Sequence, residues 1–176
     1  LIPQIHLLET MSPVDFLKFR DRLKPASGFQ SIQYRELEFL IGPGESAYLK
    51  FFVNDPEAHH KLRCRLQGRK LRDSFLEFLV KVKILTNPKP APEHLMEALR
   101  PVYQSPVDFQ ILYQLCESLV DVDENLGLWR DHHVRVVERI IGFKQGTGGS
   151  SGVEYLRTTL NKKCFPELWE VRTLLV

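Results

Sequence analysis

The segment from residue 107 to residue 143 restricts the fold of this chain more than any other feature of its sequence. Only Gly127 interrupts it, and apolar residues recur along it at the three- and four-residue spacing of an amphipathic helix. The segment therefore predicts one long helix, or two nearly continuous ones. Strand-like alternation is nearly absent from the rest of the chain. The predicted fold class is all-α.

Start and stop signals place shorter helices along the rest of the chain. Ser12, followed by Pro13 and an acid, is typical of a helix start, and Pro25 should end that helix. The same Ser-Pro pattern at Ser105 predicts the start of the long helix. The other predicted helices cover residues 31 to 41, 55 to 68, 71 to 82 and 153 to 160, with a last one from residue 166. Loops are predicted at residues 83 to 93 and 144 to 152.

Composition and charge exclude several classes of protein. A chain of 176 residues suits one domain, and a net charge of +2 is too small to indicate binding to nucleic acid or to an anionic membrane. No run of about 18 apolar residues occurs, so no membrane-spanning helix is predicted. The first residues lack the layout of a signal peptide. The three cysteines share no CxxC spacing, and we expect reduced, buried thiols in a cytoplasmic protein.

Two adjacent histidines in the long helix differ in helical phase. His133 shares a face with the apolar residues at positions 129, 136, 137, 140 and 141, whereas His132 shares one with Arg135 and Arg139. The phase therefore points His133 toward the core and His132 toward water. A neutral imidazole that faces inward from an apolar helix has the geometry of an axial heme ligand. Spacing alone favours a plainer interpretation, a core histidine hydrogen-bonded to a backbone carbonyl.

Phe16 and Arg20 lie four residues apart on the first predicted helix, so the ring and the guanidinium project from one face. A guanidinium is a planar donor suited to a carboxylate ligand. Without further information, a surface ion pair of Arg20 with Asp21 or Glu36 is the favoured interpretation.

The segment from Lys144 to Gly152 is too rich in glycine for a helix or a strand. It lacks the Gly-Lys-Ser/Thr ending and the preceding strand of a phosphate-binding loop, and its glycines do not match GxGxxG. A mobile loop that covers a substrate, with Thr147 as a polar contact, and a plain flexible connection are equally compatible with it. No spacing typical of a nucleophilic triad or a metal hydrolase occurs in the chain.

Several long motifs together resemble the tryptophan 2,3-dioxygenase family. Residues 8–20 (LETMSPVDFLKFR) are similar to its LETMxPxDFxxFR segment, and residues 27–35 (SGFQSIQYR) to its SGFQSxQ(Y/F)R segment. Residues 130–152 resemble the heme-ligand helix and GTGG loop of the family, and residues 165–169 (FPELW) resemble the C-terminal end of its bacterial members. The resemblance covers essentially the whole chain.

The resemblance implies an enzyme that binds heme b and usually forms a homotetramer. Residues 1–176 would be a single helical heme-binding domain, a bundle of the heme dioxygenase type. The substrates would be L-tryptophan and O2, and the product N-formyl-L-kynurenine, in the first step of tryptophan catabolism by the kynurenine pathway.

The resemblance also assigns roles to individual residues. His133 would be the axial ligand of the heme iron, in agreement with its phase on the helix. Arg20 would pair with the substrate carboxylate, and Phe16 would lie against the indole. Thr147 would contact the substrate ammonium and carboxylate. The distal pocket would be lined by Ser27 and Gly28.

One part of the family pattern is missing. The family's distal histidine lies on a helix before the LETM segment, with a consensus like HQTSELW, and no histidine here, His6 included, matches it. The catalytic residue of the distal side is therefore unassigned. We expect that an N-terminal part absent from this chain completes both the pocket and the oligomer.

Two other functions remain open at this point. A diverged family member could act as a heme monooxygenase on an indole or tyrosine derivative, but the retention of Phe16, Arg20 and Thr147 argues against it. A non-catalytic helical scaffold would explain the composition but not the motifs, and the absorption spectrum of the protein separates that option.

Overall fold

The computed structural model describes residues 7–23, 31–42, 44–146 and 152–175. Within these ranges the backbone forms eight α-helices and three short 3-10 helices, and no strand, so the predicted all-α fold class is confirmed. The α-helices are α1 (Pro13–Leu23), α2 (Ile32–Ile41), α3 (Pro56–Gln67), α4 (Leu71–Lys81), α5 (Pro92–Gln104), α6 (Gln110–Ile141), α7 (Val153–Thr158) and α8 (Pro166–Glu170). The 3-10 helices are Leu7–Thr10, Ser46–Phe52 and Val171–Leu174.

Helix α6 is the longest element of the fold. It runs for 32 residues, a length of about 48 Å at the usual rise per residue. Gly127 does not divide it, so the single-helix alternative is confirmed. The predicted start was too early, because residues 106–109 form a turn before the helix begins. In that turn the N–H groups of Asp108 and Phe109 donate to the carbonyl of Ser105, at 3.0 and 3.2 Å.

Polar side chains cap three helices at the positions that the sequence predicts. Ser12 Oγ accepts the N–H of Asp15 at 3.2 Å at the start of α1. Ser31 Oγ accepts the N–H of Tyr34 at 3.3 Å at the start of α2. Asp55 Oδ1 accepts the N–H of Ala58 at 3.0 Å at the start of α3. Each cap satisfies a backbone donor that the helix itself leaves free.

Apolar side chains collect in three clusters around α6 and α2. The largest packs α4, α5 and the first half of α6 against the C-terminal residues, and includes the fully buried Leu79, Leu99, Val102, Cys116 and Val171. The second joins α2 and α3 to the 3-10 helix before α3, through Phe39, Phe52, Ala58 and Leu62. The third packs α1 on the C-terminal end of α6, through Val136, Ile140, Ile141, Phe16, Leu17 and Val137.

The buried carboxylate of Asp123 fastens the C-terminal segment to the middle of α6. It accepts the backbone N–H groups of Cys164 and Phe165 at 2.6 and 2.8 Å, and the indole N–H of Trp169 at 3.3 Å. The two backbone groups immediately precede α8. Asp123 therefore acts as an N-terminal cap supplied from a different helix.

All three cysteines are free thiols, but they differ in burial. Cys116 and Cys164 are buried as predicted, and burial raises the pKa of both thiols to about 12, so they stay protonated near neutral pH. The prediction was wrong for Cys64, which is exposed on α3. Cys64 lies on the side of α3 that faces solvent. A position within a helix does not by itself bury a side chain.

The helices of the described ranges include none whose length and apolar content would let it cross a membrane. Helix α6 is long enough, but charged residues are distributed along it.

Candidate functional site

His133 lies on the C-terminal half of α6 and is half-buried. Its imidazole lies 5.3 Å, centroid to centroid, from the indole of Trp129, one helical turn earlier. Desolvation by the surrounding protein lowers the pKa of His133 below its usual value of 6.5. The ring is therefore neutral at pH 7 and keeps a nitrogen lone pair, which is the form of histidine that binds a metal.

The neighbouring histidine differs from His133 less than the phase argument predicts. His132 is also half-buried, so exposure does not separate the two side chains. The charged face that His132 shares is nevertheless present, since Arg135 and Arg139 are both exposed. Arg135 Nε binds Asp131 at 2.7 Å, and Arg139 Nη1 lies 3.6 Å from Glu9. Burial therefore does not distinguish the two side chains, and the predicted difference in their directions stays a prediction.

A tyrosine from another helix extends the aromatic contact of His133. The ring of Tyr34, on α2, stacks on Trp129 with centroids 4.9 Å apart and planes inclined by 23°. Its hydroxyl accepts a hydrogen bond from Arg130 Nε at 3.1 Å. No role was predicted for Tyr34, although it lies within the SGFQSIQYR motif. Trp129 was predicted only to lie on the apolar stripe of α6.

Phe16 packs on α6 just beyond His133. It lies in the third apolar cluster against Val136, Ile140 and Ile141, which follow His133 by one to two helical turns. Its ring also lies 6.4 Å from that of Phe19 on the same helix. The structure thus brings Phe16 and His133 to the same half of α6.

Arg20 reaches the base of the glycine-rich segment. Its Nη2 donates to the backbone carbonyl of Gln145 at 2.6 Å, a contact between residues 125 positions apart in the chain. Gln145 precedes Thr147 by two residues. Of the two acids considered as ion-pair partners of Arg20, Glu36 instead binds Lys61 Nζ at 3.1 Å.

The two ends of the glycine-rich segment lie close together. Gly152 has a φ of +65°, and a Cβ at this position would lie 2.6 Å from the carbonyl oxygen of Lys144. A side chain at this position would be strained and would clash with backbone, so glycine is required. Ser27, Gly28 and Thr147 lie outside the described residues, and their predicted roles stay predictions.

A groove of about 610 Å³ lies between α2 and α6. Its walls are mainly apolar, and they include both stacked rings, Tyr34 and Trp129. The polar lining residues are Ser31 at the N-cap of α2, Gln33 on α2, and Asp121 and Asn125 on α6. Trp129 therefore lines the groove and also contacts the ring of His133.

In the described ranges, no group of three or more His, Cys, Asp or Glu side chains is arranged to hold a metal ion. A porphyrin provides four nitrogen ligands and needs only an axial donor from the protein. His133 fits that requirement, because it offers one neutral imidazole.

The chain is similar to the proteins of one enzyme family over nearly its whole length. The sequence model described as tryptophan 2,3-dioxygenase matches residues 1–87 and 94–175. Proteins named tryptophan 2,3-dioxygenase from Serratia proteamaculans and Myxococcus xanthus are 41% and 42% identical to the chain, over 98% of its length. One from Caulobacter vibrioides is 44% identical over 96% of the chain. The chain spans 65%, 63% and 68% of the lengths of these three relatives.

Proposed function

The chain belongs to the tryptophan 2,3-dioxygenase family, and on that premise we propose that the protein is a heme-dependent enzyme that cleaves the indole C2–C3 bond of L-tryptophan with O2. The product is N-formyl-L-kynurenine. The observation that supports this most directly is the neutral, half-buried imidazole of His133 on the helix that carries the family's heme-ligand motif. The names of the relatives support a dioxygenase over the monooxygenase and scaffold alternatives.

We assign His133 as the axial ligand of heme b. Its lone pair is available at pH 7 because desolvation disfavours the imidazolium. Helix α6 provides a rigid support, since it is unbroken on both sides of His133. Heme, when bound, supplies the ferrous iron that binds O2 for addition to the indole.

The residues of this chain hold and orient the amino acid. Phe16 offers an aromatic face at the end of α6, and Arg20 offers a guanidinium one helical turn later on α1. A planar fork of N–H donors matches a carboxylate, so Arg20 would fix the substrate by its α-carboxylate while Phe16 lies against the indole. Such positioning raises the rate by holding the reacting bond in a productive geometry.

The glycine-rich segment would complete the pocket on the side of Arg20. The hydrogen bond from Arg20 to Gln145 supports this, because it connects the proposed carboxylate site to the base of that segment. In this proposal Thr147 contacts the ammonium and carboxylate of the substrate. Ser27 and Gly28 line the distal side.

We further propose that the whole protein is a cytoplasmic homotetramer, as the family resemblance implies. Large apolar side chains that are exposed in this chain support an oligomer. Val107, in the turn before α6, and Ile111, in the first turn of α6, are 89% and 80% exposed. Apolar surface of this kind is commonly covered in an assembly.

The activity is tested with the full-length protein reconstituted with heme. We expect that the protein, reduced under anaerobic conditions and then given L-tryptophan and O2, forms N-formyl-L-kynurenine in a one-to-one ratio with the O2 consumed. The measurement is product quantification by liquid chromatography with an O2 electrode. A hydroxylated indole product with no ring opening would indicate a monooxygenase and overturn the proposal.

Arg20→Ala is expected to lower kcat/KM for L-tryptophan by about 10²-fold, because a desolvated carboxylate loses its charged partner at a cost of about 2–5 kcal/mol. The loss should appear mainly in KM. Tryptamine lacks the carboxylate, so its turnover should change little, and the preference for L-tryptophan should narrow.

Arg22→Ala is the matched control for this experiment. Arg22 is an exposed arginine on the same helix, two residues further on, and its replacement should leave both substrates unaffected. If Arg20→Ala slowed tryptamine as much as L-tryptophan, Arg20 would not be the carboxylate partner.

A further inference from the structure

Three aromatic rings form a stack that ends at His133, in which the planes of Tyr34 and Trp129 are inclined by 23° and those of Trp129 and His133 are tilted by 39°. Tyr34 and Trp129 have centroids 4.9 Å apart, and Trp129 and His133 have centroids 5.3 Å apart. Trp129 precedes His133 by four residues on α6, so helix geometry brings these two side chains to the same face. Tyr34 comes from α2 and stacks on the same indole. The indole therefore contacts one ring of its own helix and one ring of another.

The outer end of the stack is fixed by polar contacts. The hydroxyl of Tyr34 accepts from Nε of Arg130, a side chain that is only 4% exposed. Arg130 also donates to the carbonyl of Lys162, so a third segment of the chain holds the same guanidinium. The guanidinium of Arg35, the next residue on α2, lies 5.2 Å from the centroid of the Tyr34 ring. Tyr34 is thus in contact with one arginine at its hydroxyl and with another at its ring.

An open groove lies next to the indole. Trp129 and Tyr34 both line this groove between α2 and α6, whose volume is about 610 Å³. Metal-binding histidines usually have their ring orientation fixed by a hydrogen bond from the second nitrogen. Within the described residues, no such hydrogen bond to the ring of His133 is found, whereas the indole contact is present.

We infer that Trp129 and Tyr34 are positioning residues that hold the imidazole of His133 in one orientation toward the heme iron. The inference rests on the proposed function, since it takes His133 as the axial ligand. Trp129 restrains the ring directly, and Tyr34 restrains Trp129. A change in either should alter the bond between iron and imidazole without removing the ligand itself.

The experiment uses the full-length holoenzyme and the iron–histidine stretching band in the resonance Raman spectrum of its ferrous form. Trp129→Leu should shift and broaden this band, and heme should dissociate about tenfold faster, as for other changes next to a metal ligand. Trp129→Phe keeps an aromatic ring at the contact and should restore most of the sharp band. Tyr34→Phe keeps the stack but loses the bond to Arg130, so its band should lie between those of the parent and Trp129→Leu.

Leu128→Ala is the matched control, because Leu128 is adjacent on α6 but 45% exposed, and its replacement should leave the band unchanged. A band in Trp129→Leu identical in position and width to that of the parent would overturn the inference. Where Trp129→Leu fails to fold by circular dichroism, Tyr34→Leu decides in the same way, since it removes only the outer ring.

The same spectra separate this inference from the proposed function. If the parent enzyme shows no iron–histidine band, or if His133→Ala retains it, His133 is not the ligand and the proposed function loses its support. If the band is present in the parent, absent in His133→Ala and unchanged in Trp129→Leu, the ligand assignment holds and only the positioning role is wrong.

Discussion

His133→Ala in the full-length protein is expected to lower heme affinity by more than about 100-fold, beyond the loss typical of changes to residues next to a metal ligand. The reason is that the variant removes the imidazole that the proposed function assigns to the iron, while the apolar packing of Val136 and Ile140 stays in place. Heme retention after gel filtration, followed by the ratio of Soret to protein absorbance, measures the loss.

His132→Ala is the control, since the adjacent histidine lies on the same helix and, by helical phase, shares a face with the exposed Arg135 and Arg139. It should keep heme and the axial nitrogen signature in the electron paramagnetic resonance spectrum. His133→Gly offers a second check, because added imidazole should occupy the space left by the side chain and restore the Soret band. Equal loss of heme in the two alanine variants, or no rescue by imidazole, would contradict the assignment.

Asp123→Ala is expected to reduce the free energy of unfolding by about 3–5 kcal/mol, a large fraction of the stability of a domain of this size. Removal of the carboxylate leaves the N–H groups of Cys164 and Phe165 and the indole N–H of Trp169 without their acceptor. Each buried donor without a partner costs about 1–3 kcal/mol. The C-terminal segment should detach from α6 before the rest of the chain unfolds.

Urea denaturation followed by circular dichroism measures the total loss, and amide exchange across residues 164–175 locates it. Asp123→Asn keeps one carbonyl acceptor, so its loss of stability should be smaller than that of Asp123→Ala. Glu124→Ala is the matched control, because Glu124 is the next residue on α6 and is exposed. It should lie within about 0.5 kcal/mol of the parent. A similarly small change in Asp123→Ala would show that solvent or a rearranged segment replaces the carboxylate.

The two Ser-Pro signals show how far local sequence determines a helix start. At Ser12 the hydroxyl caps the helix that begins at Pro13, as predicted. At Ser105 the same pattern fails, because the N–H of Ser105 donates to the carbonyl of Pro101 and thereby closes α5. Residues 106–109 then make the turn between two helices. No helix was predicted for residues 94–104. The part of Ser105 in ending α5 was therefore not predicted either.

Helical phase predicted a face for His133 but not its neighbours from other helices. The apolar stripe of α6 is buried as expected at Val136, Ile140 and Ile141. The contacts of Tyr34 with Trp129 and of Arg20 with Gln145 join residues far apart in the chain, and the period of one helix contains no information about them. The family resemblance supplied roles for Arg20 and Phe16 that spacing alone left open, and these roles stay predictions.

The guanidinium of Arg20 donates a hydrogen bond to the backbone carbonyl of Gln145. A free arginine side chain has about 2 kcal/mol of rotamer entropy to lose when it is immobilised. In this fold the hydrogen bond to a backbone carbonyl removes part of that freedom on folding, so less of it is lost on binding. This contact engages one of the five N–H donors of the guanidinium, which presents its donors in a planar fork suited to a carboxylate. The selectivity for amino acids over amines would thus come from a preorganised cation. The direction of that cation is set by the backbone carbonyl of residue 145, so it does not depend on the side chain at position 145.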